Sequence, residues 1–141
     1  LRLTEGATTG VLVGLRNYQD LLGDPLFWNA VRITALYVIV TVPGALVAGL
    51  ALALLANQPF RHKWPIRLGL LLPWALPLVF AGLIFRWFFD TQYGIVNDVI
   101  QRLGFAPQLW LSTPGFARFA TCLVIIWKTS SFAALILLAA L

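Results

Sequence analysis

The chain has 141 residues, 60% of them hydrophobic and 11% charged, with a mean hydropathy of +0.87. Soluble domains carry about 25% charged residues, so too few are present here to cover a water-facing surface, and lipid is the expected solvent over much of the length. The net charge of +5 does not make a nucleic-acid face, because the 10 basic residues are spread thinly and three sit in one short loop between apolar runs.

Residues 1–24 form a mixed external segment with Gly6, Gly10 and Gly14 and no sustained period. Asn17 to Leu22 suits a short helical turn stopped by Gly23. Asp24-Pro25 then reads as an N-cap followed by proline at the first helical position. No charge occurs from Ile33 to Phe60. A first membrane span is therefore predicted over 25–56, about 48 Å long at about 1.5 Å per residue. Its first turns, with Asn29 and Arg32, stand outside a hydrocarbon core of about 30 Å. Phe27 and Trp28 fall where an interfacial aromatic belt lies. Pro43 predicts a kink, and Ala45, Gly49, Ala53 and Ala56 form a small-residue stripe suited to close helix packing.

A basic loop at 57–67 follows, with Arg61, His62, Lys63 and Arg67. Span two is expected over 68–89. Pro73 and Pro77 in it each remove a backbone donor, which leaves the carbonyls of Gly69 and Pro73 in need of other partners. The polar stretch 90–118 contains an amphipathic helix at Ile95–Leu103, with Ile95, Val96, Val99, Ile100 and Leu103 on one side and Gly104 as its stop. Span three is expected over 119–141, with Lys128 as its single charge. The fold class is thus all-α, a polytopic membrane protein with three transmembrane helices.

The 57–67 loop carries three formal positive charges and no acid, whereas the segments at 1–32 and 86–118 mix both signs. Positive-inside bias therefore puts that loop in the cytoplasm, Leu1 outside, Leu141 inside and 90–118 outside. An external N-terminus without a signal peptide calls for an earlier span. The chain also contains no methionine and begins at Leu1, so a longer protein is expected at both ends.

Lys128 is the most informative single residue. A lysine at this depth costs about 2.5–3.5 kcal/mol on insertion scales, so it should face a protein interior or a water-filled cavity. It reads either as a lining residue of a path for a polar solute or as a structural donor to freed carbonyls such as those of Gly69 or Pro73. Trp74, Trp87 and Trp127 suit sugar rings, whose C–H faces stack on aromatic planes, but tryptophan is also common at interfaces. Candidate substrate-path residues are therefore Lys128, Trp127, Ser131 and Trp74, and the expected helix kinks are at Pro43, Pro73 and Pro77.

Catalytic residues, metal ligands and cofactor sites are not expected. No phosphate loop ending in Gly-Lys-Ser/Thr occurs, so ATP hydrolysis would belong to a partner. Neither a His-Glu-x-x-His zinc motif nor a Gly-x-Ser-x-Gly elbow is present. Cys122 and His62 are each the only residue of their type, too few for a disulfide or a zinc site.

An ordered set of short pieces runs from residue 14 to residue 141. It comprises Gly14-Leu15-Arg16-Asn17-Tyr18, Leu21-Leu22, Asp24-Pro25, Phe27-Trp28 and Leu52-Ala53-Leu54-Leu55-Ala56-Asn57 with the basic loop. It continues with Leu72-Pro73-Trp74 and Pro77, Arg86-Trp87-Phe88-Phe89, Tyr93-Gly94-Ile95-Val96-Asn97, Trp110-Leu111-Ser112, Pro114, Trp127-Lys128, Phe132 and Leu137 to Leu141. This set resembles the inner-membrane permease subunits of binding-protein-dependent sugar ABC importers, the maltose and glycerol-phosphate type. The resemblance implies three helices of a larger permease, beginning just after its first span, in a bacterial inner membrane. It implies a second permease subunit, ATP-binding subunits, an external solute-binding protein and a sugar or glycerol-phosphate-like solute as partners.

By the same resemblance, the Glu-Ala-Ala loop that docks the ATPase would begin shortly after Leu141, so this stretch alone would not transport. Alternating access would pass the solute through a cavity at the subunit interface, with the proline kinks bending helices around it and 90–118 meeting the binding protein. Two rivals stand beside this reading. A three-helix membrane scaffold without a path would use Lys128 purely as a structural donor. A membrane-embedded enzyme would cluster acids or histidines at one membrane face, and the sequence offers no such cluster.

Overall fold

The computed structural model describes residues 14–59 and 64–141. Among these residues the order is α1 (Arg16–Leu22), α2 (Pro25–Asn57), α3 (Trp64–Ala75), α4 (Leu78–Phe88), α5 (Ile95–Arg102) and α6 (Pro114–Ala140), with no strand. Arg61, His62 and Lys63 of the basic loop lie outside the described residues. The chain divides into two compact units, Leu1–Val38 and Ile39–Leu141, with the boundary inside α2.

In the first unit, the N–H of Gly23 returns to the Gln19 carbonyl at 3.1 Å and closes α1. Asp24 caps α2, its Oδ1 accepting the Leu26 N–H at 2.8 Å. Pro25 occupies the first helical position, where a missing donor is harmless. Trp28 donates its indole N–H to the Leu22 carbonyl at 2.8 Å and meets Phe27 edge-on at 5.4 Å.

In the second unit, α2 runs unbroken through Pro43. Thr41, Ala45, Gly49, Ala53 and Ala56 form its buried stripe. Gly49 shows why the stripe is small: a Cβ there would lie 2.7 Å from the Ala133 Cβ and 3.1 Å from the Ser130 carbonyl. In lipid no hydrophobic force drives helices together, so association rests on this kind of close backbone approach. Ala53, Ala56, Leu70 and Ala134 then bring α2, α3 and α6 into one core. The opposite side of α2, with Val42, Leu46 and Val47, is exposed and apolar.

The expected span at 68–89 is two helices rather than one, with α3 and α4 meeting at 98° across Leu76–Pro77. The cause is local. Pro77 offers no N–H to the Pro73 carbonyl and biases Leu76 out of the helical region, and it adopts φ −57° and ψ 141° ahead of α4. Pro73, by contrast, sits inside continuous α3. Among the described residues, α2 and α6 are each long and apolar enough to cross a membrane, and the bent α3–α4 pair makes a third span if counted as one. The last helix begins at Pro114 behind Thr113, one turn ahead of the expected start at 119.

Candidate translocation groove

The end of α3 is chemically exposed. A helix C-terminus leaves its last carbonyls unpaired, and Pro77 frees that of Pro73 as well. Lys128 of α6 answers this, its Nζ donating to the carbonyls of Pro73 at 3.3 Å, Trp74 at 3.2 Å and Leu76. An ammonium group has three hydrogens, and three carbonyls take them. A cation at this end also meets the negative pole of the helix dipole. One turn further on, the buried Ser131 donates its hydroxyl to the Leu70 carbonyl.

The same face of α6 carries Phe132, four positions after Lys128. Its ring stacks on that of Trp74 with centroids 6.1 Å apart and planes within 13°. Trp74, Leu78, Ile125, Lys128, Thr129 and Phe132 line an open groove of about 450 Å³, within the range of about 300–1,000 Å³ usual for small-molecule sites. The structure therefore brings Trp74 and Lys128 together and adds Phe132 and Thr129. Ser131 faces the α3–α6 seam instead. Trp127 packs against Phe85 with centroids 5.2 Å apart, away from this groove.

At the far end of α4, the chain turns through a second polar construction. Asp90 Oδ1 accepts the N–H groups of Gln92 and Tyr93, both at 2.9 Å. The Tyr93 bond first, then that of Gln92, holds the Asp90 carboxyl below its ordinary pKa, with the nearby Arg86 charge adding to them. Gly94 is required by space, since a Cβ there would collide with the Asp90 carbonyl and approach that of Phe88 to 2.6 Å. Asn97, 1% exposed, then uses its whole side chain. Nδ2 donates to the carbonyls of Thr91 at 3.1 Å and Gln108 at 3.0 Å, and Oδ1 accepts the Gln108 N–H at 3.0 Å and the Trp110 indole N–H at 2.8 Å. Trp110 in turn packs on Phe89 and Phe116. Sequence reasoning gave Asn97 no role, because its partners lie up to 13 positions away. At about 100° per residue Asn97 falls beside Gln101, outside the apolar side formed by Ile95, Val96, Val99, Ile100 and Leu103, so the helical pattern gave no sign of its burial.

No protein-family model matches the chain. Over 141 residues it is 56% identical to the sulfoquinovosyl glycerol transport system permease protein SmoG of Agrobacterium fabrum, covering 100% of this chain and 46% of that relative. It is 35% identical over 129 residues to the trehalose/maltose transport system permease protein MalF of Thermococcus litoralis, covering 92% of this chain and 44% of the relative. The chain belongs to the permease subunits of sugar ABC importers. As such a permease it is a multi-pass membrane protein, and it spans about half the length of the curated relatives it matches. Its fold recurs in the crystal structure of a bacterial ABC transporter that imports the acidic polysaccharide alginate, with a TM-score of 0.82 over 92% of this chain and 46% of that one, at 21% identity. Several motif pieces now have physical partners: Gly94 and Asn97 with Trp110 tie the turn after α4, Pro77 stands at the break before α4, Lys128 bonds the carbonyls of Pro73, Trp74 and Leu76, and Trp127 packs on Phe85.

Proposed function

We propose that this permease forms part of the path by which an ATP-driven importer carries a sugar or glycerol-phosphate-like solute across the inner membrane. The observation that carries the reading is the Trp74–Phe132 stack on the wall of a groove at a broken helix. Broken membrane helices expose backbone only where it is buried or lines a cavity, and paired aromatic planes suit the C–H faces of sugar rings. The 56% identity to a sulfoquinovosyl glycerol permease favours a small sugar glycoside as the solute. Lys128 lines the groove, Trp127 supports α4 through Phe85, and Ser131 ties α6 to α3.

The working assembly pairs this permease with a second permease subunit, two ATP-binding subunits and an external solute-binding protein. A related importer crystallised with its periplasmic protein carrying an alginate pentasaccharide supports the last of these. The acid-free basic loop at 57–67 faces the cytoplasm, with the Leu1 end outside and the Leu141 end inside. The test is uptake of sulfoquinovosyl glycerol and of maltose by the complete transporter. An aromatic contact is worth about 0.5–1.5 kcal/mol, so Trp74→Ala should raise KM about two- to tenfold. An unchanged KM would move the path elsewhere, and a complete transporter that moves no sugar would leave the scaffold reading.

A further inference from the structure

Lys128 lines the proposed groove, yet its donors are spent. The three hydrogens of Nζ are matched by the carbonyls of Pro73, Trp74 and Leu76. All three acceptors belong to the last turn of α3 and the link to α4, and one is the backbone of Trp74 itself. The described acids, Asp20, Asp24, Asp90 and Asp98, are all outside α3, α4 and α6, so the charge of Lys128 is met by peptide dipoles rather than by a carboxylate. Residues 128, 131 and 132 lie at i, i+3 and i+4, one side of a helix. From that side Ser131 holds Leu70, Lys128 holds Pro73 to Leu76, and Phe132 meets the Trp74 ring.

We infer that Lys128 is a positioning residue whose role is set by Pro77: it satisfies the carbonyls exposed by the break and thereby fixes the Trp74 ring against Phe132, without itself binding the solute. The inference rests on the reading of this groove as the solute path, but the brace can be tested separately from it. Pro77 removes the donor that would have paired with the Pro73 carbonyl. In apolar surroundings an unpaired carbonyl is unfavourable, and the lysine substitutes for the missing donor. Two consequences follow. Removing the lysine should matter less once Pro77 is also removed, because the chain can then pair its own carbonyls. Arginine, with five donors and a fixed charge, should replace lysine where methionine cannot.

The experiment uses a cysteine-free full-length permease in its complete transporter, reconstituted in liposomes. Thr129→Cys places a thiol in the groove, and its labelling rates with an anionic and a cationic methanethiosulfonate reagent are compared. Lys128→Met should change both rates in the same direction, about fivefold or more. Adding Pro77→Ala should return both towards the parent values, and Lys128→Arg should leave them unchanged. A selective loss of the anionic reagent's advantage, with no common change, would show the ammonium facing the groove and overturn the inference. Should Lys128→Met fail to assemble, recovery of assembly by Pro77→Ala and by Lys128→Arg supports the brace, whereas failure of the double variant overturns it. A parent Thr129→Cys that neither reagent labels would count against the groove as a path and leave the assembly comparison to decide the brace.

Discussion

The indole of Trp110 donates to the side-chain oxygen of Asn97 at 2.8 Å, across 13 residues and out of water. This bond joins the N-terminal turn of α5 to the strap that leads into α6. Around it Asn97 makes three further bonds, so all of its donor and acceptor positions are filled. The apolar part of the same junction, Phe89, Trp110 and Ala120, is a buried cluster of its own. Val96 and Ile100 of α5 pack on this cluster, while Ile95, Val99 and Leu103 of the same apolar side are exposed.

Asn97→Leu strands the Trp110 indole and the Gln108 backbone inside that junction. A buried group that loses its partner costs about 1–3 kcal/mol. We expect a full-length permease carrying this substitution to show faster proteolysis within 90–113 and a lower melting temperature in detergent. Equal protease resistance would mean that water replaces the asparagine at no cost.

Glycines give a contrast within one molecule. Gly49→Leu forces a side chain into Ala133 and the backbone of Ser130, whereas Cβ atoms at Gly69 and Gly82 meet nothing within 4 Å. Overpacking costs about 1–3 kcal/mol. We expect Gly49→Leu to cut the yield of folded transporter, and Gly69→Ala and Gly82→Ala to leave it unchanged, as read by size-exclusion chromatography.

Acid should loosen the turn after α4. Backbone donors lower the Asp90 pKa below its ordinary value of 3.8. The stabilising contribution is therefore complete above that value and is lost as pH falls through the lower, folded one. Asp90→Asn keeps an oxygen acceptor but cannot titrate, so protease sensitivity at 90–94 should rise below about pH 4 in the parent only. Parallel acid profiles for the two proteins would contradict this.

Much of the architecture was legible because it rests on local chemistry. The charge-free run from Ile33 to Phe60 marked α2, Asp24-Pro25 marked its start, and Ala45, Gly49, Ala53 and Ala56 marked the face that meets its neighbours. Of the three prolines, Pro43 and Pro73 lie inside α2 and α3, whereas the helical assignment is interrupted at Pro77. At the Pro77 break the Pro73 carbonyl, which has lost its helical donor, is bonded by Lys128 Nζ from 55 positions away on α6.

The candidate site was legible by residue type and not by grouping. Lys128 and Trp74 stand out in the sequence by charge and by ring, and they do share a groove. Phe132 and Thr129 gave no reason to be chosen, since a single Phe or Thr in an apolar helix is unremarkable until a neighbour stacks on it. Trp127 is adjacent to Lys128 in sequence yet about 100° away around the helix, which sends it to Phe85.

The most direct measurement is a structure of the complete transporter trapped with its sugar in the membrane cavity. The account predicts sugar density lying flat on Trp74 and Phe132, with Lys128 still bonded to the carbonyls of Pro73, Trp74 and Leu76. A sugar held elsewhere, with this groove filled by lipid or by another helix of the permease, would contradict it.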